Sequence, residues 1–207
     1  MEKYSLIVID DFYDDPDSIR ELALALPFEK RADARYPGTE AISVDTNWES
    51  VIQRIQKLVP EPCQYKNIKN FYYPQGKFHL ALQGDHCTRN VGVHTDLARW
   101  SAVIYLSKEY NPEGGTQWYR HIETGAIEDN ENFLNYCFSG MENGSLDNIR
   151  EAVMNISKNM SQWEKIQSIA MRYNRLVLFR ADQFHANNVL FGRLTQHFVF
   201  WSDDQSP

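Results

Sequence analysis

Residues 94–107 read HTDLARWSAVIYLS, and this stretch decides the fold. Its second half, Ala102–Leu106, is a β-branched and aromatic run of the kind that fills a buried strand. Its first half sets His94 and Asp96 two positions apart, so both side chains leave one face of a strand or strand end. An isolated His-x-Asp arises by chance in many chains, and is then a surface histidine beside a solvated aspartate. Here a second buried-strand pattern, Leu176–Phe179, leads through a turn at Ala181-Asp182 to His185, and Arg193 opens the strand after that. Two histidines and one carboxylate can occupy one face of an iron(II) octahedron and leave the opposite face open. An arginine nearby suits the clamping of a carboxylate, and Thr195 shares its face of the strand.

Outward from this stretch, the region beyond Cys63 reads as a succession of short strands with turn residues between them. They are Tyr65–Tyr73, Lys77–Leu82, Val91–His94, Ala102–Leu106, Thr116–Tyr119, Arg175–Phe179, Phe184–Val189 and Thr195–Trp201. Pro74-Gln75-Gly76 is a tight turn, and Gly114-Gly115 reads as another. So many short strands predict a sandwich or a double-sheet barrel. Ahead of them, Tyr4–Ile9 is a strand. Asp14-Asp15-Pro16 starts a helix carrying Ile19, Leu22, Ala23 and Leu26, which Pro27 ends. Thr46-Asn47 starts a second helix striped by Val51, Ile52, Ile55, Leu58 and Val59, which Pro60 ends. The expectation is one domain over residues 1–207, with an N-terminal strand and helices (1–62), a β core (63–201) and a helical insertion (126–173). Two helices make up that insertion, Asp147–Asn159 and Ser161–Tyr173, and one apolar stripe on each is too little to form a separate core. The acidic run Glu128-Asp129-Asn130-Glu131 reads equally as a solvated loop or as a lid.

Composition narrows the function. The net charge is -7, and no cluster of Lys and Arg marks a broad nucleic-acid surface. The three cysteines, Cys63, Cys87 and Cys137, form no CxxC pair, which argues against a disulfide framework or a cysteine-based zinc site. No apolar run reaches membrane-spanning length, and Asp10 and Asp11 come too early for a signal peptide, so the expectation is a cytoplasmic protein. Other candidates have a bland reading beside the functional one: Trp100 as core, His197 as a hydrogen-bonding group within the sheet, His121 as a surface residue, Trp118 and Tyr119 as core filler rather than substrate platforms.

The ordered series His94-x-Asp96, Ser101–Ser107, Gly114-Gly115-Thr116, His185 and Arg193 resembles the iron(II)- and 2-oxoglutarate-dependent oxygenase superfamily, particularly its prolyl-hydroxylase-like branch. The resemblance spans about Phe71 to Trp201 and implies a double-stranded β-helix, a jelly roll with supporting helices. It implies that His94, Asp96 and His185 ligate iron(II), and that Arg193 pairs with the distal carboxylate of 2-oxoglutarate. Tyr105 would hydrogen-bond the same carboxylate, with Thr195 as a further partner. The implied reaction consumes dioxygen and 2-oxoglutarate, releases succinate and carbon dioxide, and hydroxylates a small molecule or a peptide or protein side chain. Asp96 favours hydroxylation or desaturation, because halogenating relatives replace this carboxylate with a small residue. Arg193 follows His185 at a slightly shorter interval than is usual in that branch. The alternative is a cupin-type metal-binding jelly roll, a small-ligand module or isomerase that does not use 2-oxoglutarate. Cupin sites usually draw on more histidines near the first motif, and no HxH occurs here. Substrate identity and oligomeric state are outside what these residues specify.

Overall fold

Period-two alternation along one strand organises the molecule. In the computed structural model, which describes residues 5–30, 37–65, 73–82, 85, 92–139, 146–187 and 192–202 (backbone alone at 146–150), the last strand, β10, spans Arg193–Ser202. Leu194, Phe198 and Phe200 point to one side of it and join a core with helices α1 (Pro16–Ala25) and α2 (Glu49–Gln56). Arg193, Thr195 and His197 have the opposite parity and point to the other side, as strand geometry requires.

β10 sits inside a seven-stranded sheet. Its neighbours are β5 (Trp100–Tyr105) and β4 (Lys77–Ala81), both antiparallel. β8 (Leu176–Arg180) and β1 (Leu6–Ile9) extend the sheet beyond β5, and β2 (Thr39–Ala41) borders β4. A short β3 (Cys63–Gln64) pairs with the end of β10. A second, three-stranded sheet has the order β7 (Trp163–Met171), β6 (Asn111–His121), β9 (His185–Asn187). Between the sheets lies a second core of Val103, Tyr105, Trp118, Met171, Val177 and Phe179. The architecture is the mainly β double-sheet expected, with helices covering the outer face of the larger sheet.

The N-terminal elements form as anticipated. Asp15 caps α1 by accepting from the Ser18 amide at 3.1 Å, and Pro16 fills the first turn, where no amide hydrogen is needed. Ile52 and Ile55 of α2 are buried against the sheet. Gly76, at φ +75°, makes the turn into β4.

Several expectations are corrected. The segment 163–171 is strand β7, not a helix, so the helical part of the insertion ends with α4 (Leu146–Lys158) and a single 3-10 turn, Met160–Gln162. A further helix, α3 (Glu131–Phe138), follows the acidic run, with Asn130 accepting from the Phe133 amide. Gly114-Gly115 is not a turn but lies within β6. A Cβ on Gly115 would stand 1.7 Å from the Ile169 carbonyl oxygen, so only glycine lets β6 pass β7 this closely. The glycines stand where the β6–β7 register shifts, between Asn111 and Thr116. The expected strand Tyr65–Tyr73 falls largely outside the described residues, as do Cys87, Val91 and the end of Phe184–Val189. Cys63 and Cys137 are buried. Among the described residues, no helix is long and apolar enough to cross a membrane.

Candidate metal centre

His94 and His185 are held together by the backbone. Each donates its amide to the other's carbonyl at 2.9 Å, and the Asp96 amide donates to the Ala181 carbonyl at 2.8 Å. The two distant segments of the sequence thereby form one local bridge. One nitrogen or oxygen from each of His94, Asp96 and His185 lies within 4.8 Å of the others. His94 Nε2 is 3.9 Å from Asp96 Oδ1, and His185 Nε2 is 3.6 Å from Asp96 Oδ2. These separations suit three groups arranged around a common point.

The surroundings orient all three. His94 Nδ1 lies 3.0 Å from the Gly92 carbonyl and His185 Nδ1 2.8 Å from that of Gln183. A carbonyl only accepts, so each Nδ1 carries a hydrogen and each Nε2 is turned inward, where a metal would take its lone pair. Burial would raise the Asp96 carboxyl. The hydrogen bond and charge of His185, the charge of His94 and the Ser101 hydroxyl outweigh it and hold the group well below the ordinary carboxylate range. The site therefore offers two imidazole nitrogens and one carboxylate, a donor set suited to a divalent first-row metal.

Ser101 was not singled out in the sequence for this role. Its Oγ donates to Asp96 Oδ2 at 2.8 Å and fixes one carboxylate oxygen. Ser101→Ala is expected to weaken metal binding roughly tenfold, the low end of the usual effect for a group that orients a ligand. Titration of the folded apoprotein with Co(II), followed by its visible absorption, measures this. Unchanged affinity would remove Ser101 from the site.

Arg193 points into the space between the two sheets, a slot it shares with Tyr105 and Thr195. It is buried, 5% exposed, and its Nη1 has no hydrogen-bond partner. Its guanidinium sits 5.5 Å from the centre of the Tyr105 ring. The Tyr105 hydroxyl is 2.8 Å from Thr116 Oγ1, which bonds one sheet to the other, and Thr195 Oγ1 is 2.8 Å from His197 Nε2. His197 is pushed down to about 3 by burial and by the Arg193 and Lys77 charges, so it stays neutral at physiological pH. Lys77 is engaged by Glu40 at 3.1 Å. An arginine stays protonated even when buried, and a buried cation without a counter-charge costs several kcal/mol, on the order of 3–5 when its partner is lost. The slot therefore fits an anionic ligand, and a carboxylate matches the flat guanidinium fork.

The other sequence candidates are placed as follows. His121 is fully buried among Phe133, Tyr136 and Trp163, away from the surface position considered for it. Trp100 is core, and its indole donates to Glu61 at 2.8 Å. The acidic run is tied to the segment ahead of His185, the Asp129 amide donating to the Asp182 carbonyl and the Phe184 amide to that of Ile127. Arg99 bridges Glu61 and Asp182 at 2.9 and 3.2 Å, joining the segment that follows α2 to both ligand-bearing segments.

Arg99, with Trp100, holds Glu61 at about 2, against an ordinary 4.5. A depressed carboxyl contributes stability above its unfolded value and loses it as pH falls through the folded one. Glu61→Gln is therefore expected to cost about 1–2 kcal/mol at pH 7, allowing for solvent screening, with the difference from wild type shrinking between pH 4.5 and 2. Urea unfolding at several pH values reads this. An unchanged acid limb would contradict it.

The chain belongs to a family described as a family of unknown function (DUF6445), whose model matches residues 1–197. No curated protein matches it. Solved structures do. HygX from Streptomyces hygroscopicus, with nickel and 2-oxoglutarate bound, is 13% identical, with a TM-score of 0.51 over 97% of this chain and 84% of that one. A prolyl hydroxylase from Trichoplax adhaerens, in complex with a hypoxia inducible factor peptide fragment, is 14% identical, with a TM-score of 0.51 over 97% and 85%. The non-heme alpha ketoglutarate dependent carbocyclase SnoK from nogalamycin biosynthesis is 9% identical, with a TM-score of 0.52 over 97% and 80%. The fold is thus the double-stranded β-helix of the 2-oxoglutarate/iron(II) oxygenases.

Proposed function

We propose that this protein is an iron(II)- and 2-oxoglutarate-dependent dioxygenase that hydroxylates a small molecule or a peptide or protein side chain, releasing succinate and carbon dioxide. One observation carries the reading. The three converging donors and the partnerless buried guanidinium occupy the same space between two sheets. A metal site alone would suit many functions. A metal site that shares its slot with a buried, unpaired arginine suits a metal chelator with a carboxylate tail, which describes a 2-oxo diacid and not a cupin ligand in general.

His94, Asp96 and His185 would hold the iron, leaving one face open, and Arg193, Tyr105 and Thr195 would hold the distal carboxylate of 2-oxoglutarate. When bound, iron and the keto acid supply the oxidising chemistry, with dioxygen as the third participant. The protein's part is positional. Nδ1 hydrogen bonds keep both imidazoles aimed inward, Ser101 keeps Asp96 from rotating, and the buried Arg193 and Tyr105 fix the length of the slot. Apolar walls from Val103, Val177 and Phe179 exclude water and strengthen the interaction between guanidinium and carboxylate. Leu97, beside Asp96 and 72% exposed, offers the rim an apolar contact for substrate. The net charge of -7 supports a small molecule or peptide over a nucleic acid.

Anaerobic titration with iron(II) and 2-oxoglutarate tests the reading. A weak visible metal-to-ligand charge-transfer band is expected only when both are present. Its absence from folded protein would overturn the assignment.

A further inference from the structure

Several buried side-chain donors lack a partner, and two of them belong to residues on opposite sheets that flank the space between those sheets. One is Arg193 Nη1 on β10; the other is Trp118 Nε1 on β6. Trp118 is 3% exposed and packs within the core between the sheets. A partnerless indole N–H is not evidence by itself, since Trp48 has one in the helix-covered core. The position of Trp118 is what distinguishes it.

Trp118 pairs directly with the metal-site residue His185 across β6 and β9, so their side chains leave the same face. Phe179 touches both rings edge-on, with centroids 5.4 Å from Trp118 and 4.8 Å from His185. Thr116, the preceding residue of the same parity on β6, bonds Tyr105, over whose ring Arg193 sits. β6 therefore runs from the carboxylate clamp to the metal site. Two strand residues advance about 6.6–6.8 Å, comparable with the span of a five-carbon diacid. A ligand reaching from Arg193 to the metal passes along this strand and ends opposite Trp118.

We propose that Trp118 donates its indole N–H to the metal-proximal carboxylate of the keto acid, an inference that rests on the co-substrate reading above. Arg193 and Trp118 then grip the two ends of one dianion from opposite sheets. Trp118 is the group that recognises the keto-acid end, and its burial without a partner is explained by a bond completed only on binding.

The test is calorimetric titration of the nickel(II)-loaded protein with 2-oxoglutarate, which reads binding without turnover. Trp118→Phe keeps an aromatic ring against Phe179 and removes the donor. Its affinity for 2-oxoglutarate should fall about tenfold, the usual worth of a hydrogen bond to a charged group, with nickel affinity unchanged. Benzothienylalanine at position 118 keeps the shape of the indole with sulfur in place of N–H and should show the same loss. This separates the donor from packing and serves if the Phe variant does not fold. Wild-type affinity in the isostere would overturn the inference while leaving the co-substrate reading intact. If wild-type protein binds nickel but no 2-oxoglutarate, the reading itself fails, and the inference with it.

Discussion

Alanine at His94, Asp96 or His185 is expected to abolish 2-oxoglutarate turnover. Each substitution removes one of three donors, and among the described residues no other group of three metal-binding side chains converges. Losing a group that merely orients a ligand costs 10–100-fold in metal affinity, so losing a ligand should cost at least about 100-fold. The three variants should differ in an informative way. His94→Ala and His185→Ala leave one imidazole and a carboxylate. Asp96→Ala leaves both imidazoles but removes the only anion, so charge neutralisation at the metal fails as well. It also leaves Ser101 with an unused hydroxyl and removes the carboxylate oxygen 3.6 Å from His185 Nε2. Succinate release, measured across an iron(II) titration, distinguishes weak metal binding, which excess metal rescues, from a misassembled site, which it does not. Wild-type succinate release from any of the three would end the assignment of a shared metal.

Much of this site was legible in the sequence because strand geometry is simple. Ala102, Ile104 and Leu106 face the helix-covered core while Val103 and Tyr105 face the slot, as a period of two requires. β5 and β8 could be read as strands because their short, continuous apolar runs are buried on both faces. The misreading of 163–171 has an equally specific cause. Trp163, Ile166, Ile169 and Ala170 have the three- and four-residue spacing of a helix stripe. In the structure Ile169 and Met171 face the core between the sheets, Trp163 joins a separate cluster beyond a register shift against β6, and Ile166, at that shift, is 41% exposed. β7 borders its sheet, and most of its middle residues are exposed, so the apolar signal that marks a buried strand is missing. One outward isoleucine then imitated a helix.

Ser101 and Thr116 were missed as site residues for another reason. Both are small hydroxyl residues on strands, with no motif of their own. Counting back by twos from Tyr105 gives Val103 and Ser101 on the slot face, but the bond from Ser101 to Asp96 depends on how the loop after His94 folds back. The Tyr105–Thr116 bond spans two sheets and needs their relative placement. Local pattern assigns a face; only the three-dimensional arrangement assigns a partner.

Arg193 should behave as a residue retained for binding at the expense of stability. Replacing it with alanine is expected to raise the 2-oxoglutarate requirement about 100-fold or more, the consequence of losing a buried charge-assisted pair, while metal affinity stays near wild type because no metal donor is touched. Arg193→Lys keeps the charge without the flat two-pronged fork and should fall between the two. Ligand-free stability should move the other way. The wild-type guanidinium is buried on β10 with Nη1 unpaired, so Arg193→Met, which fills similar space without charge, should unfold at a higher temperature than wild type when no ligand is present. Adding 2-oxoglutarate with nickel(II) should then stabilise wild type by about 2.7 kcal/mol at a concentration 100 times its Kd, and the Met variant hardly at all. Thermal unfolding with and without 2-oxoglutarate gives both quantities from one set of samples. If the Met variant is less stable when empty and equally stabilised by the keto acid, Arg193 is a structural cation and the slot does not end in a carboxylate clamp.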